Sequence, residues 1–158
     1  MPSWHPIKII SGGQTGVDRA ALDWAISLGV AHGGWCPLGR IAQDGTLPER
    51  YLLKETQSPG YSQRTRLNIE EADATLLIHC GPLIGGTKLT QRLANKLVKP
   101  LILFDIDQPW LGQIECTQAC LSSNWIRVLN VAGPSEERHP GIYAATLKVL
   151  DQLFSTSK

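Results

Sequence analysis

The chain has 158 residues, of which 42% are hydrophobic and 18% are charged, and its formal net charge is +1. This composition predicts one globular domain over residues 1–158 and argues against an intrinsically disordered chain. The balanced charge excludes a broad basic surface for nucleic acid, and no apolar run approaches the roughly 18 residues of a membrane helix.

The first half of the sequence alternates short apolar runs with a helical pattern. Residues 7–10 predict a buried strand, and apolar residues at a spacing of three and four predict a helix over residues 15–28. Residues 32–36 predict a second strand, ended by Pro37. Residues 38–59 are rich in glycine, proline and polar residues, and a connection this long is often functional.

The second half repeats the alternation. The pattern predicts helices over 61–72, 87–98, 110–121 and 141–154, and strands over 74–78, 100–104 and 125–131. Continuous apolar strands that alternate with helices are typical of a parallel sheet covered on both faces. We therefore predict an α/β, Rossmann-like three-layer sandwich, whose ligand lies at the carboxyl ends of the strands.

Two glycine-bearing loops occupy the predicted carboxyl ends of strands. Residues 11–16 (Ser-Gly-Gly-Gln-Thr-Gly) follow the first strand, and residues 81–87 follow the strand over 74–78. Each leads into a helix, whose first N–H groups attract anions, and glycine lets a phosphate approach the backbone. Neither loop has the Walker A or the dinucleotide-binding spacing. The alternative for each loop is a tight turn that only needs positive φ.

Several short runs together resemble the molybdenum carrier family. They are residues 12–23 (GGQTGVDRAALD), 34–40 (GWCPLGR), 43–45 (QDG), 53–56 (LKET), 64–65 (RT) and 85–87 (GGT). That family lies within a Rossmann-like group that includes the lysine-decarboxylase-like, cytokinin-activating phosphoribohydrolases. The resemblance implies a nucleotide-type fold, and it implies binding of molybdenum cofactor, a pterin that carries a phosphate, in some members. Any molybdenum would be held by the sulfurs of the pterin.

The phosphoribohydrolases suggest a second function, hydrolysis of an N-glycosidic bond. Their Gly-Gly-Thr loop is followed by a glutamate, whereas here Gly85-Gly86-Thr87 is followed by Lys88 and no glutamate. Departure of a base needs a carboxylate near the developing cation. The candidates are Asp18, Asp44 and Glu55, and we predict no catalytic residue with an assigned role. The same loops would also suit a nucleotide sensor, whereas a purely structural protein would have no open cleft.

Each charged candidate has a structural alternative. Asp18 either interacts with the helix dipole or contacts a donor on the ligand, and Arg19 either clamps a phosphate or pairs with Asp23. Arg40 and Asp44 lie beside glycines in the irregular segment, which favours a binding role. Arg64 and Arg66 lie two residues apart and point to different sides of their helix. Arg64 is the better candidate because Arg64-Thr65 matches the run that resembles the molybdenum carrier family.

These arguments predict one binding site for a molybdenum cofactor (molybdopterin) or a nucleotide. Its predicted residues are Gly12, Gly13, Gln14, Thr15, Gly16, Asp18, Arg19, Arg40, Asp44, Arg64, Gly85, Gly86 and Thr87. The predicted role is that of a carrier, store or sensor of a small phosphorylated ligand, without nucleic-acid or membrane partners.

Three further expectations concern cellular location, metal binding by the cysteines and oligomeric state. No secretory signal precedes the first apolar run, so we expect a cytoplasmic protein with reduced cysteines. Cys116 and Cys120 lie four residues apart, and without a Cys-x-x-Cys motif we favour packing over metal binding. Five tryptophans offer apolar area for an interface, and relatives with this fold form oligomers, so we predict a homo-oligomer, a dimer or a tetramer.

Overall fold

A computed structural model describes residues 6–154 of the chain. Within that range it contains these helices and strands: β1 (Lys8–Ile10), α1 (Val17–Leu28), β2 (Ala31–Gly33), β3 (Trp35–Cys36), β4 (Ile41–Ala42), β5 (Gly45–Thr46), β6 (Lys54–Glu55), α2 (Tyr61–Glu71), β7 (Ala74–His79), α3 (Gly85–Lys96), β8 (Leu101–Asp105), α4 (Trp110–Ser123), β9 (Val128–Ala132) and α5 (Ile142–Phe154).

Five of the strands form one parallel sheet in the order β2-β1-β9-β7-β8. The chain runs outward from β1 to β2 and, in the opposite direction, from β7 to β8. Right-handed crossovers therefore place α1 and α3 on opposite faces. Contacts agree with this, because α5 packs against α1 and α4, and α2 packs against α3. The predicted three-layer, Rossmann-like α/β fold is confirmed.

The two faces of the sheet differ in their packing. The main apolar core joins β7 and β9 to α1, α4 and α5, and the rings of Trp24 and Phe154 lie 5.4 Å apart within it. On the other face, α2 buries only Asn68 and Ile69, and the buried residues of α3 are Thr87, Thr90 and Ala94. This second interface is thus partly polar, and the cleft described below lies there.

The predicted strand over 32–36 divides into two. Gly34, with φ of 124°, separates β2 from β3, and β3 leaves the main sheet to pair with β6. The side-chain amide of Asn68 takes the place of a neighbouring strand, since it bonds to both the N–H and the carbonyl of Trp35. The segment 38–59 likewise contains more structure than predicted, a two-stranded hairpin of β4 and β5 followed by β6.

Candidate functional site

A cleft of about 190 Å³ opens at the carboxyl ends of β1, β7 and β9. Residues of α2 and α3 and of the loops that follow β1 and β9 line it. The central strand β9 lies between β1 and β7, whose connections leave in opposite directions, so the cleft lies at the switch point where α/β sheets bind ligands.

The structure brings about half of the predicted site residues to this cleft. Those that line it are Gly12, Gln14, Asp18, Arg64, Gly86 and Thr87. Those that do not are Gly13, Thr15, Gly16, Arg19, Arg40, Asp44 and Gly85. The two glycine loops therefore do meet at one site, but the charged residues of the segment 38–59 lie outside its lining.

The start of α1 is filled by the protein itself. The N–H of Val17 donates to the carbonyl of Pro134 at 3.2 Å, and the N–H of Arg19 donates to the carbonyl of Gln14 at 3.0 Å. Gly16 has φ of 84°, and a Cβ built on it would lie 2.4 Å from the Pro134 oxygen. The hydroxyl of Thr15 donates to Glu137. At this loop the glycines serve a tight, packed turn, and two of the first three N–H groups of α1, those of Val17 and Arg19, are already bonded within the protein.

The start of α3 is different. Among residues 6–154, no group accepts a hydrogen bond from the N–H of Gly85 or of Gly86. The Thr87 side chain closes the turn instead, since its hydroxyl bonds to the backbone of Ile84. A Cβ on Gly86 would meet no atom within 4 Å. This helix start therefore presents free N–H groups to open space, an arrangement that suits an anion.

An arginine stands beside that helix start. Arg138, from the loop after β9, lines the cleft, and its Nη1 would lie 2.7 Å from a Cβ on Gly85. Its side chain is exposed and makes no ion pair with any other residue in the described range 6–154. Free N–H groups and an unpaired guanidinium at one end of the cleft make that end positive.

The lining of the cleft also contains a buried charged pair. Asp18 is 5% exposed, and its Oδ2 lies 3.9 Å from Nη1 of Arg64, which also donates to the Gly12 carbonyl at 2.9 Å. Burial raises the pKa of the Asp18 carboxyl, while Arg64 and the N–H of Gln14 act in the opposite direction. A Cβ on Gly12 would lie 2.5 Å from that guanidinium nitrogen, so glycine is needed here for the approach of Arg64.

Arg19 and Arg40 stabilise the segment 38–59. Arg19 makes two hydrogen bonds to the carboxylate of Asp44 and further ones to the carbonyl of Gly13. The guanidinium of Arg40 donates to the carbonyls of Leu47, Pro48, Tyr51 and Leu53, at 2.8 to 3.4 Å. Both guanidinium groups are thus engaged by the protein. The pairing of Arg19 with Asp23 is not made, because Asp23 accepts from Tyr51 and Tyr143.

Comparisons with known proteins identify relatives of the chain. The family model of the circularly permutated YpsA SLOG family matches residues 9–154. The chain belongs to that family. The crystal structure of "Putative molybdenum carrier protein" from Syntrophus aciditrophicus SB is 42% identical to the chain, with a TM-score of 0.92 over 96% of each chain. The resemblance to molybdenum carriers is confirmed. Among curated proteins, none matches the chain.

Sequence reasoning missed several residues of this SLOG-family cleft. The loop after β9 contributes Arg138 and His139, and the strands themselves contribute His79 and Asn130. The sequence did contain a signal for His79 and Asn130. Asn130 interrupts the apolar run of β9, and His79 directly follows the apolar residues 76–78 of β7. No comparable pattern marks Arg138, which lies in an irregular loop far along the chain.

Metal ligands and membrane-spanning helices are both absent from the described residues of this SLOG-family chain. Within residues 6–154, no three histidine, cysteine, aspartate or glutamate side chains lie together as metal ligands. In that same range, every helix is too short or too polar to cross a membrane.

Proposed function

We propose that this SLOG-family protein binds a phosphorylated heterocycle, a molybdopterin-type cofactor or a nucleotide, in the cleft and serves as its carrier. The observation that supports this most is the start of α3, where the N–H groups of Gly85 and Gly86 are unpaired beside Arg138. Backbone N–H groups, the partial positive charge of the helix and a guanidinium are the donors that phosphate prefers.

The size and the rim of the cleft support a ligand that is only partly enclosed. A volume of about 190 Å³ is below the roughly 300–1,000 Å³ of usual small-molecule pockets. Tyr61 and Ile84 line the cleft and are 46% and 58% exposed, so apolar surface is available at its mouth. In the proposed complex the phosphate lies at α3 and the ring lies against these side chains.

The carrier role rests on the relative. A protein 42% identical to this chain is called "Putative molybdenum carrier protein", and each chain is covered to 96%. If the cargo is a pterin cofactor, its sulfurs hold the molybdenum, and the cleft contributes contacts to the phosphate and the ring. Residues able to make the phosphate contacts are present here, so the cleft fits that end of the cofactor.

Thermal unfolding with a ligand panel tests the proposal. The panel contains inorganic phosphate, AMP, ADP, ATP, NAD, a cytokinin-type ribotide, and molybdopterin with and without metal. A ligand at about 100 times its Kd adds about 2.7 kcal/mol and raises the Tm. Arg138→Ala should reduce the shift, and the control Arg66→Ala should keep it, because Arg66 pairs with Glu70 and does not line the cleft. No shift with any compound would contradict the proposal.

A second candidate function, hydrolysis of a nucleotide, is favoured by one observation. Of the three candidate carboxylates, Asp18 lines the cleft, whereas Asp44 is held by Arg19 and Glu55 accepts from the N–H of Gly39. A carboxyl whose pKa is raised by burial is a candidate acid or base. Release of free base or phosphate from the bound nucleotide, abolished by Asp18→Asn, would favour this function over a carrier.

Assembly remains a prediction. Sedimentation velocity across a range of concentrations would distinguish a monomer from the predicted dimer or tetramer.

A further inference from the structure

His79 is a buried histidine in the cleft with one ring nitrogen unused. It ends β7, lines the cleft and is 8% exposed. Its Nδ1 lies 2.7 Å from the carbonyl oxygen of Gly81. A carbonyl can only accept, so Nδ1 carries the proton and Nε2 of the neutral ring presents a lone pair. No group within residues 6–154 donates a hydrogen bond to that Nε2.

In the tautomer that donates from Nδ1 to Gly81, the Nε2 of His79 is a hydrogen-bond acceptor. It lies in a cleft that also contains the donors proposed for phosphate.

A second buried acceptor lines the cleft. Asn130 is 3% exposed, and its Nδ2 donates to the hydroxyl of Thr75 at 3.1 Å. Its Oδ1 has no hydrogen-bond partner in the described part of the chain. Buried polar atoms are nearly always satisfied in folded proteins, so each exception calls for an explanation. Two such acceptors along one cleft indicate a ligand that supplies donors.

We propose that His79 is a specificity-determining residue, whose Nε2 accepts a hydrogen bond from an O–H or N–H group of the bound ligand. The inference rests on the proposed function and narrows its ligand class, to phosphorylated heterocycles that carry such a donor away from the phosphate. Two parts of these ligands can supply the donor, the hydroxyls of a sugar and the N–H groups of the ring. A buried acceptor that must be paired rejects analogues that lack the donor.

A matched pair of substitutions isolates Nε2. In His79→Asn the amide nitrogen occupies roughly the place of Nδ1 and can still donate to Gly81, but nothing replaces Nε2. In His79→Gln the amide reaches the place of Nε2 and can still accept. Calorimetric titration uses AMP, GMP and a pterin phosphate as probes. The analogues are 2′-deoxy-AMP, 3′-deoxy-AMP and purine riboside 5′-monophosphate, each of which lacks one donor of AMP.

The expected result has three parts. Wild-type protein binds at least one analogue about tenfold more weakly than its parent, and the analogue affected shows whether sugar or ring supplies the donor. His79→Asn binds the parent ligand about tenfold more weakly than wild type and no longer distinguishes it from the analogue. In His79→Gln the affinity for the parent and the ratio of the two affinities stay within about threefold of wild type. Affinity for inorganic phosphate is the same in all three proteins.

Other results distinguish a failure of the proposed role of His79 from a failure of the proposed binding function. Should wild type bind parent and analogues equally well, or His79→Asn keep the discrimination, the role of His79 is refuted while the binding site stands. A loss of inorganic phosphate affinity in His79→Asn also refutes it, because His79 would then be a phosphate ligand. Absence of binding of any probe to wild type refutes the proposed function itself. Equal binding of parent and analogues by wild type refutes the role of His79 even if the variants do not fold.

Discussion

The carboxylate of Asp44 accepts two hydrogen bonds from the guanidinium of Arg19, at 2.9 and 3.0 Å. The pair joins the hairpin of β4 and β5 to the first turn of α1. The Arg19 side chain is 12% exposed and that of Asp44 is 50% exposed, so solvent screens the interaction from one side only. Arg19 also stabilises the glycine loop before α1, because its guanidinium donates to the Gly13 carbonyl.

Asp44→Asn should lower the free energy of unfolding by about 1 kcal/mol or less, as expected for a half-exposed pair with bidentate geometry. Hydrogen bonding to Arg19 lowers the pKa of Asp44 below its usual value of 3.8. The contribution of Asp44 to the free energy of unfolding is therefore complete above about pH 3.8. It disappears as the pH falls through the lower pKa that Asp44 has in the folded protein. Urea unfolding at about pH 6 and about pH 3 measures this, and an equal difference at both pH values would contradict it.

A larger loss of stability is expected when Arg40 is replaced. Its guanidinium bonds to carbonyls at several points of the segment 38–59. Arg40→Ala would leave the carbonyls of Leu47 and Leu53 without a donor, whereas those of Pro48 and Tyr51 keep backbone N–H donors. We expect a loss of about 2–3 kcal/mol, the range for a charged donor with several partly buried acceptors. Arg66→Ala, which removes an exposed arginine with one i,i+4 partner, should cost about 0.5 kcal/mol or less. Comparable losses in the two variants would be evidence against this role of Arg40.

The strands and helices of this protein could be predicted because their apolar periodicity is strong. The helices predicted over 15–28, 61–72 and 87–98 all occur, with boundaries shifted by a few residues. The short strands β4 to β6 could not be predicted, because they have only two residues each. The division of the strand predicted over 32–36 was also missed, because the side chain of Asn68 supplies to Trp35 the donor and acceptor that a neighbouring strand would otherwise supply.

The candidate site could be predicted only where it follows the backbone. Strand ends and glycine loops predicted that Gly12, Gly86 and Thr87 lie close together, since parallel strands end at one edge, and all three line the cleft. The direction of long side chains is a tertiary property, so the sequence did not show that Arg19 and Arg40 bind carbonyls and a carboxylate of their own chain. Arg138 was missed for the same reason, because only the fold brings its loop to α3.

Asp18 should make stability depend on pH in the direction opposite to Asp44. Burial raises the pKa of its carboxyl, so the folded protein holds this proton more tightly than the unfolded chain. Ionisation therefore reduces stability as pH rises above the ordinary value of 3.8, up to the folded pKa. Asp18→Asn does not titrate, so its free energy of unfolding minus that of wild type should increase between about pH 4 and pH 7.

Urea unfolding of both proteins at several pH values tests the Asp18 prediction. Asp107→Asn, which changes an exposed carboxyl outside the cleft, serves as the control and should alter stability by about 0.5 kcal/mol or less. A difference for Asp18→Asn that stays constant or decreases with pH would show that the ion pair with Arg64 outweighs the cost of burial.

Gly86 allows the binding role of α3 to be separated from its folding. Gly86 and Gly112 both lie in the first turn of a helix, and a Cβ on either would meet no atom within 4 Å. Replacement by alanine should therefore stabilise the protein by about 0.5 kcal/mol in each case, because alanine loses less backbone entropy on folding.

Gly86 lines the cleft, whereas Gly112 does not. Only Gly86→Ala should obstruct the approach of a phosphate to the unpaired N–H groups, and we expect it to weaken ligand binding about tenfold or more. Thermal unfolding measures the first effect and calorimetric titration the second. If both variants bind ligand as tightly as wild type, the phosphate does not lie at the start of α3.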